Sequence, residues 1–170
     1  TKALCFAMEK NNTKGKRRHV ITHLQLAEEK DINLMGEYGI IACVQPYWFP
    51  KDNIFHAIDI NHLGNRVYSE YKANSFYKKG IRTTASSDSP VTRCPNPFLG
   101  MDLAVNRQDI SERTSLIDIL HAFSDNGAFQ LGRENEIGFI KEGYKADLLL
   151  ISEDLFECKP ECIKNVRVLL

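Results

Sequence analysis

The sequence predicts an α/β fold in which parallel strands alternate with helices, and three segments support this. A short β-rich segment at residues 19–22 precedes an amphipathic segment at 24–38, which predicts a strand followed by a helix. Residues 40–44 form a continuous apolar run, too short for a helix and typical of a strand buried on both faces. Residues 82–85 are again β-rich and follow a predicted helix at 66–79.

The remaining elements divide the chain near residue 133. Further helices are predicted at 1–11, 96–107 and 115–129, and an irregular, aromatic-rich segment at 46–64. Strands alternating with helices up to Gly132 are typical of a parallel β/α unit. After Gly132, apolar and polar residues alternate around Gly138 and Gly143, which predicts short β segments without helices. We therefore expect two domains, residues 1–132 and residues 133–170.

The composition is that of a globular protein with no charge bias. Hydrophobic residues make up 43% and charged residues 26% of the 170, and Lys+Arg and Asp+Glu are both 22. The zero net charge gives no reason to expect a nucleic-acid partner, and no apolar run approaches the length of a membrane span. The five cysteines have no paired spacing, which predicts reduced thiols and a cytoplasmic location.

Each predicted strand ends in a polar side chain: His23 after the first, Gln45 after the second and Asp88 after the third. Each also has a local explanation, since His23 could cap the next helix, Gln45 could satisfy loop backbone, and Asp88 could cap a turn before Ser89–Pro90. The carboxyl ends of parallel strands meet at one edge, so the three side chains would converge there. Imidazole and carboxylate are ligands for Zn²⁺-class cations, so this shared position favours a metal site.

Several motifs occur together with the spacing of a known family. They are "HVITHLQL", "GIIACVQP", "LGNRVYSEYKANSFYKKGI", "ASSDSPV", "SLIDILHAFSDNGAFQLG" and "IGFIKEGYKADLLLI". In this order they resemble the C-terminal part of the metal-dependent amidohydrolase superfamily, in the amidohydrolase family 3 branch. The resemblance implies a partial TIM-like (β/α) barrel, equivalent to strands six to eight, followed by β segments of a small C-terminal β-sandwich.

The resemblance also implies a function and roles for individual residues. His23 would be a metal ligand, and Asp88 would be both a metal ligand and the general base. The divalent metal would be of the zinc class, and the reaction would be hydrolysis of a C–N bond other than an ordinary peptide bond in a small-molecule substrate. Gln45, Trp48 and Arg66 are candidates for the substrate pocket.

The sequence lacks the metal-binding motifs that this family has on the first five barrel strands. Such enzymes also have an HxH pair after the first strand, a lysine or acid after the fourth and a histidine after the fifth. A complete barrel takes roughly 250 residues, and residues 1–132 supply three strands. We therefore expect a fragment or a degenerate half-barrel that is inactive alone, holds metal weakly and forms a homo-oligomer. The alternative is a non-catalytic regulatory or binding protein with the same fold, and an upstream HxH segment would favour the enzyme.

Overall fold

A three-stranded parallel sheet lies at the centre of the structure. The computed structural model describes residues 1–51 and 54–170, without the side chains of residues 54–56. Within these residues the sheet has the order β1–β2–β3, with β1 at Val20–Thr22, β2 at Ile41–Val44 and β3 at Thr83–Ala85. Both pairings are parallel, and Thr22, Cys43 and Thr84 are in register. The predicted parallel arrangement is confirmed.

The central strand β2 is buried on both faces, as its uniform apolarity predicts. All four of its residues are buried. Ala42 and Val44 point into the main hydrophobic core beneath the helices, while Cys43 points to the opposite face by strand alternation. The carboxyl ends of the three strands therefore lie along one edge, with His23, Gln45 and Ser86 immediately beyond them.

Seven described α-helices surround this sheet, and two of them begin at a side-chain cap. They are α1 (Lys2–Lys10), α2 (Glu29–Tyr38), α3 (Ile54–Leu63), α4 (Ala73–Lys78), α5 (Pro97–Val105), α6 (Leu116–Phe123) and α7 (Asp125–Gln130). The Asn96 side chain caps α5 and the Ser115 side chain caps α6, and Gly39, with φ 65°, ends α2. Among the described helices, none combines the length and the apolarity that crossing a bilayer requires.

The predicted helix at 24–38 begins later than expected, at Glu29. His23 and Leu24 both have positive φ, at 71° and 51°, which an α-helix does not allow. Leu26 then forms an antiparallel bridge with Glu70. Long-range backbone pairing therefore replaces the first helical turn that the apolar pattern predicts.

Three other predicted segments also differ from the structure. The segment at 46–64 is not irregular throughout, since it contains a 3₁₀ turn at Pro46–Trp48 and helix α3. The helix predicted at 66–79 is divided into a 3₁₀ helix, Gly64–Ser69, and α4, because Tyr71 has φ 56° and donates its N–H to the carbonyl of Gln25. The helix predicted at 115–129 is broken at Ser124, which has φ −121° and ψ −101°.

The segment at 133–170 is mostly turns. Its β pairing within the described residues is one antiparallel bridge, between Ile151 and Val168. A 3₁₀ helix at Pro160–Asn165 packs against α5. Leu155, Ile163 and Val166 are buried in the same core as the helices before residue 133. The sequence-based division near residue 133 therefore separates two segments that share one core.

Candidate functional site

His23 comes directly after β1 and is held at the carboxyl edge of the sheet. Its backbone N–H donates to the carbonyl of Cys43 in β2 over 3.0 Å. Its φ lies in the left-handed region that non-glycine residues rarely adopt. The imidazole stacks on the indole of Trp48, with centroids 5.0 Å apart and planes 8° apart. Its Nδ1 is buried and has no hydrogen-bond partner within residues 1–51 and 54–170.

Gln45 joins the ends of β2 and β3. Its side chain is fully buried, and Nε2 donates to the Ser86 hydroxyl over 2.7 Å. The same hydroxyl oxygen lies 3.6 Å from the thiol of Cys43. The Gln45 Oε1 is buried without a partner among the described residues. Sequence reasoning did not single out Ser86, although its place in the "SSD" run was the signal for it.

Asp88 lies in a tight turn after β3 and is half-buried. Its φ is 54°, so both predicted metal ligands have left-handed backbone. Its carbonyl accepts from the N–H groups of Val91 and Thr92, over 2.9 and 3.3 Å. The Thr92 hydroxyl in turn accepts from Trp48 Nε1 over 3.3 Å. Trp48 therefore contacts His23 through its ring face and the turn of Asp88 through its ring nitrogen.

A cavity of about 250 Å³ lies beside Trp48, and we call it the Trp48 cavity. It is lined by aromatic and apolar residues and by polar residues that we call its polar wall; the lining residues are Gln25, Trp48, Phe49, Pro50, Lys51, Asp59, Val67, Glu70, Tyr71 and Arg107. Trp48 thus lines a cavity, and its role in substrate binding stays a prediction. Gln45 and Arg66 are not among these lining residues; Arg66 is exposed and donates to the carbonyl of Leu63 over 3.4 Å.

The polar wall of the Trp48 cavity was not anticipated from the sequence. Gln25 Nε2 donates to Asp59 Oδ2 over 2.8 Å and to Glu70 Oε1 over 2.7 Å. Burial, together with the negative charges of Glu70 and Asp59, raises the pKa of Tyr71 to about 12, against a smaller opposing effect of Arg107. The position of Gln25, two residues after His23 beyond the end of β1, was the one local signal for this wall.

Arg107 lines this cavity and is buried, and burial lowers the pKa of its guanidinium. Its terminal amines donate to the carbonyls of Tyr71 and Glu70, the latter over 2.8 Å. The guanidinium carbon lies 4.7 Å from the centroid of the Phe49 ring. Arg107 therefore fixes the backbone that carries the polar wall.

The side chains of His23 and Asp88 are of donor types that a zinc-class cation accepts. His23 presents a buried imidazole nitrogen without a hydrogen-bond partner among the described residues, and Asp88 supplies a carboxylate. Within residues 1–51 and 54–170 no group of three or more His, Cys, Asp or Glu side chains is placed to hold a metal ion. The described part of the chain therefore offers two candidate ligands, His23 and Asp88, where a catalytic zinc site usually has about three from the protein.

The chain is similar in sequence to part of two longer curated proteins. YtcJ of Bacillus subtilis (strain 168), named provisionally as an amidohydrolase, is 26% identical over 165 residues, which cover 91% of this chain and 30% of YtcJ. The imidazolonepropionase of Thermoanaerobacter pseudethanolicus is 30% identical over 130 residues, which cover 76% of this chain and 27% of that protein. The chain thus spans between 27% and 30% of the length of these curated relatives.

Solved structures share the fold, and a family model matches nearly the whole sequence. An uncharacterized metal-dependent hydrolase from Pyrococcus horikoshii OT3 aligns with a TM-score of 0.71 at 24% identity, over 96% of this chain and 33% of that one. An adenosine deaminase from Xanthomonas campestris, solved with bound zinc, aligns with a TM-score of 0.60 at 17% identity, over 85% of this chain and 32% of that one. The model of the amidohydrolase family matches residues 3–170, and this chain therefore belongs to the amidohydrolase family.

Proposed function

We propose that the protein containing this chain is a metal-dependent hydrolase that cleaves C–N bonds in amides or cyclic amides other than ordinary peptides. The observation that carries the proposal is the His23 imidazole, held at a strand end by left-handed backbone with its Nδ1 buried and unpartnered among the described residues. A buried imidazole nitrogen without a hydrogen bond is costly unless a ligand occupies it. Membership of the amidohydrolase family supports a metal as that ligand.

In this proposal the two strand-end residues have distinct roles. The bound divalent cation, of the zinc class, would supply a Lewis acid and lower the pKa of a water molecule. His23 would be a metal ligand, oriented by its stacking on Trp48. Asp88 would also be a ligand, and its carboxylate would accept the proton of the attacking water and return it to the departing nitrogen as the C–N bond breaks.

The proposed architecture extends beyond the three strands. The strands β1, β2 and β3 would be the sixth to eighth strands of a (β/α)₈ barrel, whose active site lies at the carboxyl ends of the strands. The bridged segments around Ile151 and Val168 would belong to a small β-sandwich. Trp48 would contact the substrate, while Gln45 and Arg66 remain proposed pocket residues at the edge of the site.

The test uses the full-length protein. Asp88→Asn should lower kcat by about 10²–10⁴-fold on any amide or cyclic amide that the wild type hydrolyses. His23→Asn should lower the bound metal measured by plasma mass spectrometry, whereas the matched variant His62→Asn, at an exposed histidine of α3, should retain it. Residues 1–170 alone, with two candidate ligands, should not hold one equivalent of zinc through dialysis.

Two results would contradict the proposal. One is full activity in Asp88→Asn, and the other is an unchanged metal content in His23→Asn. A full-length protein that holds no metal, hydrolyses no C–N bond and still binds small molecules would favour the alternative, a regulatory or binding protein with an amidohydrolase fold.

A further inference from the structure

The two candidate metal ligands lie after different strands, and each has a backbone conformation that needs support. His23 follows β1 with φ 71°, and Asp88 lies beyond the end of β3 with φ 54°. Residues other than glycine rarely adopt left-handed backbone, and they keep it only where the surrounding contacts hold it in place. The contacts around His23 and Asp88 therefore decide whether the two side chains keep a fixed relative position.

Trp48 lies beyond the end of β2, the strand between the other two. Its backbone N–H donates to the carbonyl of Gln45 over 3.0 Å within the 3₁₀ turn Pro46–Trp48, so the residue is tied to the end of the central strand. One face of the indole stacks on the imidazole of His23, with centroids 5.0 Å apart and 8° between the planes. A stack of this kind covers the face of the imidazole and leaves its ring nitrogens, which lie in the plane, available to a metal.

Thr92 connects the nitrogen edge of the indole to Asp88. The Thr92 hydroxyl accepts a hydrogen bond from Trp48 Nε1 over 3.3 Å. The Thr92 backbone N–H donates to the carbonyl of Asp88 over 3.3 Å, and the N–H of Val91 donates to the same carbonyl over 2.9 Å. Thr92 therefore belongs to the turn of Asp88 and also contacts the ring that stacks on His23.

These contacts join the ends of all three strands. They run from His23 through Trp48 and Thr92 to Asp88, and we call this series of four residues the Trp48 bridge. Groups that orient metal ligands typically change metal affinity about 10–100-fold when they are removed, although they do not touch the metal. A residue in the middle of the Trp48 bridge can therefore act on the metal site through its neighbours.

We propose that Thr92 is a positioning residue of the metal site. Its hydroxyl holds the indole of Trp48 in the plane that stacks on His23, and its N–H holds the turn of Asp88, so that the two candidate ligands keep their separation. The inference rests on the proposed function for the role of the metal, whereas the Trp48 bridge itself consists of residues of this chain.

Nuclear magnetic resonance of labelled histidine rings tests the Trp48 bridge in the metal-free, full-length protein. The signal of His23 is the one that is lost in His23→Asn. Thr92→Val keeps the shape and the backbone N–H but lacks the hydroxyl, and it should shift the His23 signal, whereas Thr92→Ser should restore the wild-type position. Trp48→Phe keeps a ring but lacks the Nε1 donor, so Thr92→Val should cause no further shift when it is added to Trp48→Phe.

The affinity for zinc tests the consequence for the metal site. Competition with a chromophoric chelator gives the Kd of the full-length protein for zinc. Thr92→Val should weaken zinc binding about tenfold or more, and the double variant with Trp48→Phe should bind zinc as Trp48→Phe alone does, because both substitutions remove the same hydrogen bond. The matched control Tyr47→Phe removes a neighbouring ring donor, which bonds to the carbonyl of Asn96 over 2.9 Å, and it should leave the zinc affinity unchanged.

The outcomes separate the Trp48 bridge from the reaction. An unmoved His23 signal in Thr92→Val, an equal shift in Tyr47→Phe, or additive losses of zinc affinity would overturn the bridge, and unchanged zinc affinity in Thr92→Val would overturn the positioning role. Circular dichroism establishes that each variant is folded, and Thr92→Ala, which also lacks the hydroxyl, replaces a Thr92→Val variant that does not fold. A shifted His23 signal in a protein that binds no zinc would support the bridge and contradict only the proposed function.

Discussion

Arg107 shows how one buried side chain fixes the wall of a site. It is 5% exposed, and it donates to the carbonyls of two consecutive residues, Glu70 and Tyr71. The φ of Tyr71 is 56°, so the backbone is left-handed where the guanidinium binds. The guanidinium thus adds a donor to the Tyr71 carbonyl, which also accepts from the N–H of Ala73, and binds the Glu70 carbonyl beside it.

Replacing Arg107 should therefore destabilise the fold. Arg107→Met keeps an unbranched stem but removes the guanidinium donors to both carbonyls, of which that of Tyr71 keeps the N–H of Ala73. This loss should lower the free energy of unfolding by about 2 kcal/mol or more. The control Arg133→Met removes a guanidinium that pairs with Glu136 at the surface, and it should change the free energy of unfolding by about 0.5 kcal/mol or less. Urea denaturation measures both, and equal effects of the two substitutions would contradict the role of Arg107.

Tyr71 should make stability depend on pH in the alkaline range. Its pKa is raised from 10.0 to about 12, mainly by burial and then by Glu70 and Asp59. The folded state therefore keeps a proton that the unfolded state loses, so stability is unaffected by this group below pH 10 and falls as the pH rises from 10 to about 12. Tyr71→Phe removes the titrating group, and its stability should fall less over this window.

Urea denaturation at successive pH values measures the effect of Tyr71. The pKa values of Tyr38 and Tyr47 are also raised to about 12. These two residues should therefore cause part of the loss of stability at alkaline pH, and Tyr71→Phe should still show that part. Parallel stability curves for the wild type and Tyr71→Phe from pH 10 to 12 would show that Tyr71 does not contribute.

At the scale of elements, α5 packs closely against its neighbours through Gly100. A Cβ at this position would lie 2.8 Å from Phe123 Cζ of α6 and 3.1 Å from Tyr47 Cζ. The Tyr47 hydroxyl also donates to the carbonyl of the α5 capping residue, Asn96, over 2.9 Å. The approach of α5 to the segment after β2 therefore depends on the absence of a side chain.

Two glycine-to-alanine substitutions test this packing in opposite directions. Gly100→Ala should destabilise the fold by about 1–3 kcal/mol, because the added methyl group would overpack two aromatic rings. Gly36→Ala, in α2, places its Cβ 3.6 Å from Ile81 Cγ1, an ordinary contact, and should stabilise by about 0.5–1 kcal/mol through helix propensity. Thermal and urea unfolding measure both changes, and stabilisation by Gly100→Ala would contradict the close approach.

At the scale of the whole molecule, the described sheet has two open edges. Strands β1 and β3 each pair on one side only within these residues. The C-terminal segment also exposes large apolar side chains, at Ile140, Leu148, Leu149, Leu150, Leu169 and Leu170. Unpaired strand edges and exposed apolar clusters are surfaces that proteins normally cover.

Residues 1–170 produced alone should therefore self-associate, most simply as a two-fold dimer. Covering apolar surface contributes about 25 cal/mol per Å², so a few hundred Å² would add several kcal/mol to a marginal fold. Sedimentation at micromolar concentration measures the mass, and the paired substitution of Leu149 and Leu150 by Ser should shift it toward 19.4 kDa. A monodisperse wild-type monomer of 19.4 kDa would contradict the expectation.

The sequence by itself determined the parallel sheet, its strand order and its polar strand ends. These are local properties: "IIACV" is apolar throughout because β2 is buried on both faces, and Gly39 ends α2 because a left-handed position favours glycine. His23 and Asp88 could be named as candidates because each lies close after the end of a strand. Family membership followed from the same motifs, and the comparison confirmed it.

Only the tertiary structure decided the helix breaks and the Trp48 cavity. The breaks near Leu24 and Tyr71 depend on hydrogen bonds across the fold, between Gln25 and Tyr71 and between Leu26 and Glu70, so no local pattern records them. The polar wall joins Gln25, Asp59, Glu70 and Arg107 from four separate segments. Their side chains meet because packing of the helices against the sheet brings distant residues together. Hydrophobic periodicity specifies which face of a helix is buried, but it does not specify which residues that face contacts.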